Sequence, residues 1–197
     1  MRRLATIAFL GLTAAAAVAV FAAAARSAEE PEHAVVTKDG DFEIREYPAL
    51  TIAEVTVRAA RNEAGNAGFR KLAGYIFGGN AGKQKIEMTA PVMEARAGGD
   101  GQAWTIRFVM PKGVTLARAP KPDDASIRMH ETPPTRYAVL RYSGLTGDDK
   151  VEAKTAELLA ILKTRGLAAA GPPLLAFYDP PWTPWFMRRN EIMVPIR

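Results

Sequence analysis

Apolar and polar positions alternate along several short stretches of the chain and fall into a helical repeat in two longer ones. Ala53, Val55 and Val57 sit on one side of an alternation whose other side is Ile52, Glu54 and Thr56, and Phe42 and Ile44 begin a similar run before Pro48. Such a period marks strands with two unlike faces. Strands are expected next over 85–95 and 103–111, joined by Gly98-Gly99-Asp100-Gly101. In the second of these, Trp104, Ile106, Phe108 and Met110 alternate with Thr105, Arg107 and Val109. Four more are expected over 125–131, 136–143, 174–179 and 191–196, the last placing Glu191 on the face opposite Ile192, Val194 and Ile196.

The first helical repeat covers 61–77, with Phe69, Leu72, Ala73 and Ile76 on its apolar face. Gly65, Gly68 and Gly74 each cost such a helix about 1 kcal/mol relative to Ala, so a strand or a ligand must approach it closely. The second covers 147–165. Val151, Thr155, Leu158, Leu159 and Leu162 recur at helical spacing, Thr146 is the expected N-cap, Asp148 and Asp149 fall in the first turn, and Gly166 ends it. A proline-rich linker over 119–124 separates the helices. The order strand, strand, helix, strand, strand occurs twice, which predicts an α+β domain: two ββαββ units related by an approximate twofold, joined in one distorted, eight-stranded barrel-like sheet with two flanking helices.

The N-terminus changes the picture of charge. Arg2 and Arg3 precede an uncharged apolar run over 4–25, followed by small residues and the acidic Glu29 and Glu30. This is the pattern of an export signal; a retained membrane anchor is the alternative, since the run is long enough to cross a bilayer. The expected organisation is a signal peptide over 1–28, a polar leader over 29–40 and one domain over 41–197, exported to the periplasm or secreted. Losing Arg2, Arg3 and Arg26 takes three positive charges from the formal +5 and leaves +2. With the remaining basic residues scattered, no nucleic-acid partner is expected. A soluble monomer without stable membrane insertion is expected after cleavage.

The sequence contains no cysteine, which excludes thiol nucleophiles, cysteine-based metal centres and covalent haem attachment. The two histidines, His33 and His130, are not at metal-ligand spacing. His130 remains a candidate axial ligand, with an edge-strand histidine as the alternative. Met88, Met93, Tyr75 and Tyr178 are weaker candidates. Glu191 is a candidate pocket carboxylate that pairs with an arginine or receives a cationic ligand if its face lines the interior, or forms a rim salt bridge with Arg189 or Lys85.

The densest signal lies over 178–195, YDPPWTPWFMRRNEIMVP. Pro180, Pro181 and Pro184 stiffen the backbone, while Trp182, Trp185 and Phe186 supply apolar surface and Arg188 and Arg189 positive charge. The loop suits a flat, apolar, acidic ligand, or else caps the core. Together with KIEMTAPV at 85–92 and WTIRFVMP at 104–111, this run resembles the SOUL haem-binding family, whose fold is similar to that of gyrase-inhibitor-like effector-binding domains. The resemblance implies non-covalent binding of haem or another tetrapyrrole in an apolar cleft between the first helix and this loop. Carried onto this sequence, Phe69, Leu72, Tyr75 and Ile76 would face Trp182, Trp185 and Phe186. Arg70, Lys71, Arg188 and Arg189 would meet the propionates. Some relatives carry a basic residue where this chain has Thr183. The function expected is sequestration, buffering or transport without turnover. One alternative is hydrolysis by Glu191 with Tyr178 or Tyr75; the other is a protein-interaction module anchored by the tryptophan loop.

Overall fold

The computed structural model describes residues 28–98 and 101–197; the expected signal peptide lies outside these apart from Ala28. In chain order the elements are β1 (Ala34–Asp39), β2 (Phe42–Tyr47), β3 (Leu50–Arg58), α1 (Arg61–Ile76), β4 (Val92–Arg96), β5 (Ala103–Val109), β6 (Arg128–Thr132), β7 (Thr135–Ser143), α2 (Asp148–Thr164), β8 (Leu174–Phe177), a 3-10 turn (Trp185–Met187) and β9 (Arg189–Pro195). The strands form one antiparallel sheet in the order β1-β2-β7-β9-β8-β4-β5-β3-β6, curled into a half-barrel.

Without β1, this order is the same read from either end. The series β2, β7, β9, β8 answers to β6, β3, β5, β4 across the central β8–β4 pair. Register follows the same twofold: Ile52 stands opposite Val109 in one half and Val139 opposite Met193 in the other. α1 packs on β3 and β5, and α2 on their counterparts β7 and β9. The α+β architecture and the repeat agree with the sequence pattern, but the sheet has nine strands where eight were expected. The extra strand is β1, within the expected leader. Its side chains are almost all exposed, so no apolar alternation betrays it, and backbone pairing with β2 holds it.

Each sheet face carries its own core. Facing the helices are Ala53, Val55, Trp104, Ile106, Phe108, Leu140, Ile192 and Val194; the concave face carries Tyr47, Ile52, Met93, Val109, Val139 and Met193. Three local expectations differ from the structure. Residues 85–91 are not a strand and make only isolated bridges, Phe77 with Lys85 and Thr89 with Glu29; Pro91 has no N–H to give a ladder. The N-cap of α2 is Gly147, without a side-chain hydrogen bond, instead of Thr146. Leu159, assigned to the apolar face, is exposed.

The glycines of α1 are explained by strand contact. A Cβ on Gly65 would collide with the Glu94 carboxylate of β4, and one on Gly68 would stand 2.7 Å from Ile106 Cγ1 of β5. The helix therefore lies directly on the sheet. Gly74 has nothing within 4 Å of such a Cβ.

Candidate functional site

Alternation in β9 sends Glu191 to the concave face, where it is 1% exposed. The alternation of β2, with Phe42 and Ile44 toward the helices, turns Arg45 and Tyr47 to that same face. Arg45 Nη1 and Nη2 donate to the two Glu191 carboxylate oxygens at 2.8 and 3.0 Å, and the Tyr178 hydroxyl donates to Oε2 at 2.6 Å. Burial on its own would depress Arg45, but the Glu191 carboxylate outweighs it and holds the guanidinium above its usual range. Burial first, then the neighbouring Glu191 charge, pushes the Tyr178 hydroxyl up. The open alternatives for Glu191 thus resolve to an arginine pair, and the partner is Arg45 in place of Arg189 or Lys85. Beside Ile52, Met93 and Met193 on this face lies a cavity of about 30 Å³, room for little more than water.

Arg189 is committed elsewhere. It pairs with Glu30 at 2.5 Å and lays its guanidinium over the Tyr178 ring at 3.4 Å. Arg188 donates to the Thr183 and Pro181 carbonyls, bracing the loop from within. The loop's aromatic rings do not cap the core. Trp182, Trp185 and Phe186 are 68%, 59% and 61% exposed, and Trp185 meets Phe186 edge to face at 5.7 Å. The 3-10 turn lies beside β7, two residues past whose end Leu145 is also exposed.

On α1 the expected ligand face divides. Leu72, Tyr75 and Ile76 are almost wholly buried against the sheet, with the Tyr75 hydroxyl bonded to the Pro120 carbonyl at 2.9 Å. Phe69 remains 37% exposed and touches Phe108 edge to face. Arg70 is exposed, and Lys71 reaches Asp124 and Ser126. None of the cavities of about 30, 420, 720 and 860 Å³ is lined by this face together with the loop aromatics.

His130 stands opposite Ile52 in the β3–β6 pair and so shares the concave side, its Nδ1 4.0 Å from Glu54. As α1 covers the other side, His130 is not positioned to ligate a haem held against that helix. Among the described residues no group of three metal-ligating side chains occurs, and no helix is long and apolar enough to cross a membrane.

The profile of the family described as "SOUL heme-binding protein" matches residues 28–195. The chain belongs to the SOUL haem-binding family. Curated relatives include Heme-binding protein 2 of Mus musculus, 27% identical over 132 residues, and that of Homo sapiens, 28% identical over 132 residues; each match covers 64% of this chain and 64% of the relative. The match thus spans less than two thirds of either relative's length. Solved structures of similar fold include the C-terminal domain of EcmrR, 13% identical with a TM-score of 0.57, covering 79% of this chain and 96% of that one. A hydrolase from Listeria innocua is 13% identical with a TM-score of 0.56, covering 82% and 94%. At these identities the likeness is one of fold.

Within this SOUL domain, three residues escaped the sequence reading. Arg45 was recoverable from the alternation of β2, which puts it on the side of Glu191. Glu94 and Arg61 had no such signal. Glu94 is buried beneath α1, its Oε2 without a hydrogen bond but ion-paired with Arg61 at 3.6 Å, and Arg61 also holds Asp148 at 2.6 Å.

Proposed function

We propose that this SOUL domain binds haem or another tetrapyrrole reversibly and without turnover. The match to the family over nearly every described residue carries this reading. The exposed aromatic loop supports it: Trp182, Trp185 and Phe186 form an apolar surface of the kind that marks ligand or partner sites, and Phe69 and Leu145 are exposed apolar residues as well. A porphyrin would lie on these rings. Its propionates would fall first to Arg70, since Lys71 is held by Asp124 and Ser126, Arg188 by the loop carbonyls and Arg189 by Glu30. With no cysteine in the sequence, attachment would be non-covalent.

The two alternatives have less to draw on. Glu191 and Tyr178 do meet, as hydrolysis would need, but Arg45 neutralises the carboxylate, which is itself 1% exposed. A partner protein on the loop would compete with the tetrapyrrole for the same rings. We further infer export to the periplasm or the medium as a soluble monomer, from the apolar run after Arg2 and Arg3, with haem sequestration, buffering or transport as the role. Titrating hemin into the protein while recording the Soret band tests the binding. Saturation near one equivalent, weakened by Trp185→Ala or Phe186→Ala, is expected; a featureless titration would overturn it. Intact-mass measurement of protein from the cell envelope tests processing, where a full-length, detergent-extracted species would speak for an anchor.

A further inference from the structure

The twofold repeat makes the two helices comparable position by position. Counted from the N-caps Ala60 and Gly147, Gly65 and Gly68 of α1 correspond to Glu152 and Thr155 of α2, and Phe69 corresponds to Ala156. In the first half the glycines let the helix down onto Glu94 and Ile106. In the second half the equivalent positions carry side chains, and beside them runs a cleft of about 860 Å³, within the size range of small-molecule sites.

The cleft is lined by Thr155, Ala156 and Leu159 of α2, by Val151 and Leu175, and by Trp104, Pro172 and Pro173. Thr155 and Ala156 contribute short side chains to it and Trp104, itself 7% exposed, part of a flat indole. Arg96 lies over the Trp104 ring at 5.0 Å and donates to the Gly101 carbonyl at 3.2 Å, and Arg58 lines the same end. Arg61 lines the cleft as well and is almost wholly buried. Fixed by Asp148 and the Thr146 carbonyl, it is a preformed part of the wall. Three arginines against Asp148 and Glu152 leave the lining with an excess of one positive charge.

We propose that this cleft is a second ligand site, one that takes a flat apolar anion, with its rings between α2 and Trp104 and its acidic group at Arg96 and Arg58. The helix it runs along is the twofold counterpart of α1. It stands on the cavity and its lining, and does not depend on the tetrapyrrole reading.

Trp104 provides a local reporter, because the sequence has three tryptophans and the other two lie in the loop. In a Trp182→Phe/Trp185→Phe chain, 8-anilinonaphthalene-1-sulfonate is the probe. Saturable binding with energy transfer from Trp104 is expected. Ala156→Phe, an exposed helical position that narrows the cleft, should weaken it at least tenfold, and Arg96→Gln should weaken it several-fold and reduce its salt dependence. Should Ala156→Phe fail to fold, as judged by circular dichroism, Arg96→Gln and the transfer signal decide. Absent binding, binding without transfer from Trp104, or affinity unmoved by both substitutions would overturn the site. In the otherwise unaltered chain, hemin affinity should change less than twofold on Ala156→Phe. A parallel loss would show one tetrapyrrole cleft in place of two sites, and a missing Soret response with intact probe binding would sink only the haem reading.

Discussion

Three glycines in one helix make a graded test of how α1 meets the sheet. Replacing Gly74 by Ala recovers helix propensity of up to about 1 kcal/mol, and the new methyl meets nothing within 4 Å. For a domain of this size the gain corresponds to roughly 2–4 °C in Tm. Gly68→Ala gains the same propensity, but its Cβ would stand 2.7 to 2.8 Å from three atoms of Ile106, a side chain with no exposure. Overpacking of this kind costs about 1–3 kcal/mol, so the net change should run from near zero to about 2 kcal/mol of destabilisation. Urea unfolding of Gly68→Ala, Gly74→Ala, Ile106→Ala and the Gly68→Ala/Ile106→Ala pair separates the terms. Because Ile106→Ala removes Cγ1 and Cδ1, Gly68→Ala should cost less in that background, with a coupling of at least about 0.5 kcal/mol. If Gly68→Ala stabilised as much as Gly74→Ala, close approach would not be the reason for the glycine; an equal cost in both backgrounds would place the clash at the Ile106 Cβ, which alanine keeps, instead of at Cγ1 and Cδ1.

Arg45→Ala should destabilise the fold by about 3–5 kcal/mol by leaving Glu191 buried and unpaired, and adding Glu191→Gln should restore part of the loss; a change under about 1 kcal/mol in urea midpoint analysis would show that water already solvates the pair. Burial raises the Glu94 carboxyl above its ordinary value of about 4.5, with Arg61 only partly opposing. The folded chain therefore keeps this proton to higher pH than the unfolded one, and the contribution to stability declines as pH rises from about 4.5 through the raised value. Glu94→Gln should remove that decline, whereas a loss above about 3 kcal/mol at pH 8 would mean that an ionised pair with Arg61 is the stabilising form. Trp185→Ala should weaken hemin roughly tenfold or more through lost apolar contact with little change in Tm, while Leu72→Ala should cost about 2–5 kcal/mol in stability; hemin affinity indifferent to Trp185 would detach the ligand from the loop.

The faces of β5 and β9 were legible because apolar and polar residues alternate in them: Trp104, Ile106 and Phe108 lie toward the helices and Glu191 away from them, as their spacing dictates. Both helices were legible within a residue or two at each end. The burial of Leu72 and Ile76 followed from the same repeat, but the repeat does not say whether an apolar helix face meets a sheet or a ligand. The glycines offered both choices, and Glu94 and Ile106 supply the answer. β1 was hidden because an edge strand with solvent on nearly all its side chains has no pattern beyond backbone pairing. Arg45 meets Glu191 across 146 positions, a distance over which local periodicity carries no pairing information, although each side chain's face could be read separately.

The repeat also explains why binding should move to the helix side of the sheet. At equivalent positions in β5 and β9 stand Arg107 and Glu191, opposite Glu54 and Arg141 respectively, so the two halves present inverted charges to one concave interior. Arg107 is neutralised by Glu54 at 2.9 Å. Glu191 turns from its register neighbour to Arg45. Both central charges are thereby consumed by internal partners, and the apolar residues about Ile52, Met93 and Met193 enclose a cavity of only about 30 Å³. Opening that interior to an organic ligand would require breaking a bidentate pair at a cost of several kcal/mol, more than a weakly held small molecule returns at micromolar concentration after its own binding losses. No such barrier guards the helix side. The aromatic rings of the loop are already in solvent, and the cleft along α2 is already open.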